Sequence, residues 1–411
     1  MTACPTRAMY RREDGIIDFD KRICIGCKAC MAACPYDAIF INPEDHCAEK
    51  CNLCSHRLDA GLEPACVTVC PTEAILVGDL NDPAAKVTQL INREAVQVRR
   101  PEKETRPNVF YKGAHQATLD PLAAARPEGG LYAWATQQDA ARTAGTSSAA
   151  AVISYDIPHQ APWGWRVSLY TWTKSIAAGG FAVPAALAAA GRVSWTGDTV
   201  RWAAPLTGLV FLALTGGLLI WDLKRPMRFH LIFIKHQWRS WLVRGAVIVS
   251  LYGGALAAYL GAVIAGAGSE AQQTIAWIAM FLAASTAVYT AYLFAQAKAR
   301  DMWQSPLLAP HLLVQAALAG AAVTPGGPAR TVLAVAAVAH LALVAAEVTV
   351  PHSTAHARLA ARELWRGKYQ PLFWISALLI AAGIFVPPLA LLGLLAYEHA
   401  YVQAGQCVAL A

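Results

Sequence analysis

Charge is scarce in this 411-residue chain: Asp, Glu, Lys and Arg make up 15% of it, against 56% hydrophobic residues. That balance excludes a solvated, disordered or acidic-tail protein. Cysteine is missing from residues 71–406, and long apolar runs are missing before residue 165. The chain therefore divides into a thiol-rich region suited to water and an apolar region suited to lipid. The opening MTACPTRAMYRRED lacks the apolar run that a secretory signal needs, so none is expected there. The net charge of +7 does not point to nucleic acid. Most of the excess lies in short loops between apolar segments, where basic residues set membrane topology.

The cysteines carry the clearest chemistry. Cys24, Cys27, Cys30 and Cys34, with Pro35, follow the spacing C-x2-C-x2-C-x3-C-P. Three closely spaced thiolates wrap one face of an iron–sulfur cubane, while the fourth points to a neighbouring cluster. A disulfide framework or a structural zinc site is a weaker reading, since zinc rarely takes four cysteines in so packed an order. Cys51, Cys54, Cys66 and Cys70, with Pro71, repeat the plan with a loop inserted before the third cysteine. Cys4-Pro5, Cys34-Pro35 and Cys70-Pro71 each open a phrase Cys-Pro-x-x-Ala-apolar. Each phrase is expected to end a short helix and enter a strand, with proline enforcing the break. Cys47 lies outside the pattern and reads as a bystander.

Here the sequence becomes specific. With CNLCSHR at 51–57, GLEPAC at 61–66 and GDLNDP at 78–83, residues 4–114 resemble the second half and tail of a four-cluster ferredoxin subunit. That type of subunit is found in molybdopterin oxidoreductases of the polysulfide and dimethyl sulfoxide reductase kind. The resemblance implies that Cys4 closes a [4Fe-4S] site with Cys24, Cys27 and Cys30. It leaves Cys34, Cys51, Cys54, Cys66 and Cys70 short of partners, as if a preceding segment were missing. The alternative is re-pairing as a two-cluster ferredoxin, with Cys70 closing the first triad and Cys34 closing Cys51, Cys54 and Cys66.

Residues 115–164 read as a linker, rich in Ala, Thr, Ser, Gly and Gln, that ends in SYDIPHQAPWGW. Trp163 and Trp165 are expected at the headgroup level. Eight apolar segments follow, at 166–190, 202–221, 242–266, 272–296, 306–323, 330–350, 371–386 and 388–407. The last two are broken at Pro387-Pro388, giving two short helices or, alternatively, one long final helix and seven crossings. Loops on the side shared with the cysteine domain hold twelve basic residues between Lys224 and Lys368. The far side holds three, Arg192, Arg201 and Arg330. That asymmetry puts the cysteine domain in the cytoplasm of a bacterium, with the bundle in its inner membrane.

Trp163-Gly-Trp165 through Tyr170, Asp222–Phe229, Gln237–Gly245 and Ala404-Gly405-Gln406 make this region similar to NrfD-like, polysulfide-reductase-type membrane subunits. The resemblance implies an eight-helix anchor that handles quinone without haem, next to a separate molybdenum or tungsten catalytic partner. Charged groups within lipid are costly and become candidates by default. Lys174 could hydrogen-bond a quinone carbonyl or pin two helices by an ion pair. Asp222 could move the proton of quinone chemistry or pair with Arg225 or Arg228. Tyr170, Tyr289 and Tyr292 are interfacial belt residues or quinone ligands, and Arg239 or Arg244 a quinone-headgroup or lipid-phosphate contact. His340 and Glu347, with Glu398 and His399, form a candidate proton path. His340 and His399 could reach similar depth, but a di-haem site needs four histidines and His311 lies near a helix end, so haem is not expected.

The expectation is thus an α+β ferredoxin-like domain over 1–114, a linker over 115–164, and an all-α polytopic membrane bundle over 165–411. It would pass electrons between membrane quinone and a separate catalytic subunit, itself holding no molybdopterin. A redox-linked proton module and a passive anchor are the rival readings.

Overall fold

The computed structural model describes residues 1–120, 122, 161–408 and 410. Most of the expected linker, 123–160, lies outside the described residues.

The cysteine region is built from very short elements. Strands β1 (Met9–Arg11) and β2 (Ile17–Phe19) pair antiparallel, as do β3 (Phe40–Ile41) with β4 (Ala48–Glu49) and β5 (Val96–Gln97) with β6 (Tyr111–Lys112). Helices α1 (Ala29–Ala33), α2 (Ser55–Leu58), α3 (Ala65–Thr68), α4 (Lys86–Arg93) and α5 (Gln116–Leu119) lie between or after them. The Cys-Pro repeat is real in the backbone. Arg7, Asp37 and Glu73, each three residues after their cysteine, all take left-handed conformations, at φ 59°, 51° and 47°. That turn swings later amides back onto sulfur, from Met9 N to Cys4 Sγ at 3.5 Å and from Ala74 N to Cys70 Sγ at 3.2 Å. The first two phrases lead directly into β1 and β3, while the third leads directly into no strand among the described residues.

The second region is helical: α6 (Trp165–Ala189), α7 (Ala204–Asp222), α8 (Leu231–Ile234), α9 (Trp241–Ile264), α10 (Ser269–Gln296), α11 (Leu308–Val323), α12 (Gly327–Thr349), α13 (Ala355–Trp365), α14 (Gln370–Gly383) and α15 (Pro387–Ala404). Among the described residues, four helical stretches are long and apolar enough to cross a membrane: Thr199–Asp222, Trp241–Ile264, Ser269–Gln296 and Gly327–Thr349. Helices α11 and α14 are apolar but shorter. Such sequences are apolar around their whole circumference, so they need lipid or other helices on every side. Helix α6 sits centrally, packed on α7, α10, α11 and α15.

The break at Pro387 produces a hairpin, not one long helix. A Cβ at Gly383 would touch Ala390, and one at Gly393 would touch Ile380 and the Ser376 carbonyl, which is the register of antiparallel neighbours. Amphipathic α13 packs on the turn Asp301–Gln304.

Trp163 corrects its headgroup expectation. It is 5% exposed, stacked on Phe294 and Trp303 at 5.6 and 5.4 Å between ring centres. Trp165, by contrast, is half exposed. The entry and exit of the bundle meet at that point, because Trp163 N donates to Gln406 Oε1 and its carbonyl accepts from Gln403 and Gln406.

Candidate iron–sulfur site seated on the helix bundle

Cys4, Cys24, Cys27 and Cys30 line one cavity, together with Gly26, Lys28 and Ala48. The enclosed space between them is about 20 Å³. Cys4 arrives on its Cys-Pro turn, the other three on the loop that opens α1. Cys4 and Cys24 are buried, and no disulfide joins any of the cysteines. Enclosure among protein atoms pushes the Cys27 thiol up to about 12 and the Cys30 thiol well above its ordinary value, with neighbouring thiols adding to the shift. Neutral thiols crowded this way gain nothing from one another; a bound cation would deprotonate them and use all four.

No three His, Cys, Asp or Glu side chains among the described residues converge tightly enough for a single metal ion. Four thiols that share one cavity are a donor set suited to an iron–sulfur group.

The other cysteines differ. Cys34 is buried in the same small core but does not line the cavity. Cys51 and Cys66 are exposed, and Cys54 and Cys70 half-buried. Backbone amides of Ile75, Thr72 and Ala74 hold the Cys70 thiol below its usual value. Cys4, and not Cys70, lines the cavity with the first triad. Cys47 is fully buried against Cys24 and gives its S–H to the Lys21 carbonyl, outside the cavity lining.

The bundle grips this loop through backbone atoms. Lys224 N donates to the Gly26 carbonyl and Arg225 N to the Ile25 carbonyl, both at 3.2 Å. Arg228 donates to the carbonyls of Lys21 and Cys24, Gln237 Nε2 to that of Cys4, and Trp163 Nε1 to that of Cys27. Ile25 packs with Leu223, Ile232 and Val243. The stretches Asp222–Phe229 and Gln237–Gly245 thus largely serve to dock the cysteine domain.

Two comparisons bear on identity. Residues 1–80 match the family described as a 4Fe-4S dicluster domain, and residues 155–325 match polysulphide reductase, NrfD. A tetrathionate reductase subunit of Salmonella typhimurium is 47% identical over 121 residues, 29% of this chain and 48% of the relative. The iron–sulfur subunit of arsenate respiratory reductase from a Shewanella species is 36% identical over 156 residues, 26% of this chain and 67% of the relative. This protein belongs to that iron–sulfur subunit family, joined to an NrfD domain. One component of the polysulfide reductase of Wolinella succinogenes is 41% identical over 111 residues, 27% of this chain and 58% of the relative. The chain spans about half the length of the first of these curated relatives.

Within the NrfD region, the candidate polar residues fall into three groups. Asp222 pairs with Lys28, not with Arg225 or Arg228, while Arg225 Nε donates to the Asp45 carbonyl. Arg239 is exposed, with its carbonyl taken by Gln296, and Arg244 lies over Trp241. Tyr170 and Tyr289 are buried inside the bundle, not in a belt, whereas Tyr292 is 45% exposed. Lys174 is fully buried and donates to the Ala287 carbonyl and to Thr290 Oγ1, both at 2.8 Å, so it ties α6 to α10. Glu398 is its acidic neighbour, and Tyr170 stands within electrostatic reach of both Glu398 and Asp222.

The third group surrounds Tyr397. His311 and His340 share a 2.9 Å hydrogen bond, and their rings lie 5.3 and 5.0 Å from the Tyr397 ring. Tyr397 and Tyr401 lie within reach of both Glu347 and Glu398, and Ser305 donates to Glu347 Oε2 at 2.9 Å. His399 is half-buried with no polar partner among the described residues, so it stands apart. Residue spacing gave no sign of His311, Tyr397 or Lys28 as members of these groups.

Proposed function

We propose that this chain is the electron-transfer and membrane-anchor subunit of a respiratory oxidoreductase. It carries electrons between membrane quinone and a separate catalytic subunit of the molybdopterin type. The observation that carries this reading is the seating of the four-thiol cavity directly on the bundle end, where the line Asp222, Tyr170, Glu398 and Lys174 begins.

Cys4, Cys24, Cys27 and Cys30 would hold one [4Fe-4S] cluster, which when bound supplies one-electron transfer. Cys34, Cys51, Cys54, Cys66 and Cys70 are the remaining candidate ligands of a dicluster-type domain. Tyr170 and Lys174 offer hydrogen bonds to a quinone carbonyl oxygen, and Asp222 offers a carboxylate to take or return a proton. Arg225 serves docking in this reading, and Arg239 serves a lipid headgroup. The three parts, 1–114, 115–164 and 165–411, give eight crossings in a bacterial inner membrane, with the cysteine domain on the cytoplasmic side.

The test is to purify the whole chain, count iron per polypeptide, and record its paramagnetic signal before and after adding quinol. A cubane's worth of about four irons, with a signal that quinol induces and that Lys174→Met abolishes, is expected. Iron that stays silent to quinol in the wild type would leave only an anchor.

A second reading has its own observation. Among the described residues, Tyr397 OH, His340 Nε2, Glu347 Oε1 and Gln315 Oε1 are buried without hydrogen-bond partners. Buried polar atoms left so are costly unless water threads them, and a file of that kind conducts protons. In this reading Glu347→Gln and Glu398→Gln stop proton movement while quinol still reduces the cluster.

A further inference from the structure

Between Cys27 and Cys30 the chain places a lysine in the left-handed backbone region, at φ 62°. Lys28 is 8% exposed and lines the same cavity as the four thiols. Its ammonium reaches both carboxylate oxygens of Asp222 at 2.9 Å, across 194 residues of sequence. The two side chains are 10% and 12% exposed, so the pair is largely out of water. Asp222 occupies the last turn of α7, where the helix dipole disfavours a carboxylate. Docking does not explain the pair, because the loop is already held by the amides of Lys224 and Arg225 and by Arg228. What the pair adds at the cavity wall is charge.

We propose that Lys28 and Asp222 set the reduction potential of the group held by Cys4, Cys24, Cys27 and Cys30. Lys28 is the cation at the wall, and Asp222 is the residue that positions and offsets it. The proposal rests on reading that cavity as a cluster site. Taking up an electron adds one negative charge there, which the Lys28 ammonium stabilises and the Asp222 carboxylate opposes. One charge comes from each domain, so the potential depends on docking. A cysteine domain lifted from α7 keeps Lys28 and loses its counter-charge.

The full chain, as wild type, Asp222→Asn, Lys28→Gln and the double variant, is titrated with redox mediators and followed by its paramagnetic signal. The wave lost in Cys24→Ser identifies the cluster concerned. At the wild-type midpoint, Asp222→Asn raises the ratio of reduced to oxidised cluster and Lys28→Gln lowers it. Each effect is on the order of tenfold, the size of one charge near a partly buried site. The double variant returns towards wild type. Shifts of the same sign in both single variants mean loosened docking and overturn the proposal, as do changes below about twofold in both. A wild type with no reducible signal removes the cluster reading itself; a normal signal with unmoved midpoints removes only the pair.

Discussion

Gly26 sits in the cysteine loop at φ 65°, and a Cβ there would lie 2.6 Å from Lys224 Cβ and 2.9 Å from the His46 carbonyl. Gly61 has a similar φ of 72° but nothing within 4 Å. Gly26→Ala therefore combines backbone strain of about 1–2 kcal/mol with overpacking of about 1–3 kcal/mol, while Gly61→Ala carries the strain alone. Gly26→Ala is expected to lose iron and thermal stability well beyond Gly61→Ala; equal losses would reject the contact. His356 supplies a pH test at the same scale. Burial lowers its folded value to about 4, helped by nearby Arg100 and opposed by Asp301 and Asp120. The unfolded imidazole, near 6.5, binds its proton first, so the stabilisation is whole above that value and is lost as pH falls towards 4. The loss amounts to at most about 3 kcal/mol. Melting in detergent should fall more steeply from pH 7 to 5 for wild type than for His356→Leu, and parallel curves would discard the assignment.

At the scale of elements, α6 and α11 cross where both lack side chains. A Cβ on Gly179 would fall 1.8 Å from the Ala316 carbonyl oxygen, and one on Gly320 would fall 2.2 Å from the Gly179 oxygen. The close approach lets backbones touch, which is how helices associate where no hydrophobic force separates them from lipid. Gly179→Ala or Gly320→Ala is expected to destabilise by about 1–3 kcal/mol or more. Gly216→Ala and Gly254→Ala, where nothing lies within 4 Å, should change stability by no more than about 1 kcal/mol. Similar thermal midpoints for all four in one detergent would contradict the crossing. These helices were legible in the sequence because apolar runs and proline breaks are local signals. The α14–α15 hairpin was legible for the same reason, at Pro387-Pro388. The Cys-Pro repeat was legible too, since cluster-type ligands come from adjacent turns and their spacing is the geometry. Lys28 with Asp222, Trp163 with Cys27, and His311 with His340 were not legible. Each depends on which face of a helix meets a distant segment, and spacing within one segment carries no record of that.

Across the whole molecule, one end of the bundle gathers everything that meets the cysteine domain. The polypeptide enters there at Trp163 and leaves at Gln406, which bond to each other. The far-side loops carry few basic residues, and the near side carries Arg225 and Arg228 in docking contacts, with Lys235 and Arg239 exposed. Bases used for docking are not free to report topology, which weakens the count by those two and leaves its sign unchanged. The orientation can be read directly, because Lys86 and Arg93 stand exposed on the cysteine domain. Trypsin added to inside-out membrane vesicles should cleave there and release the domain's N-terminal part, while sealed cells stripped of their outer wall should be protected. Cleavage from the outside alone would place the cysteine domain across the membrane from the cytoplasm. Electrons would then enter or leave the bundle at its outer face, while the Lys28–Asp222 pairing would stand.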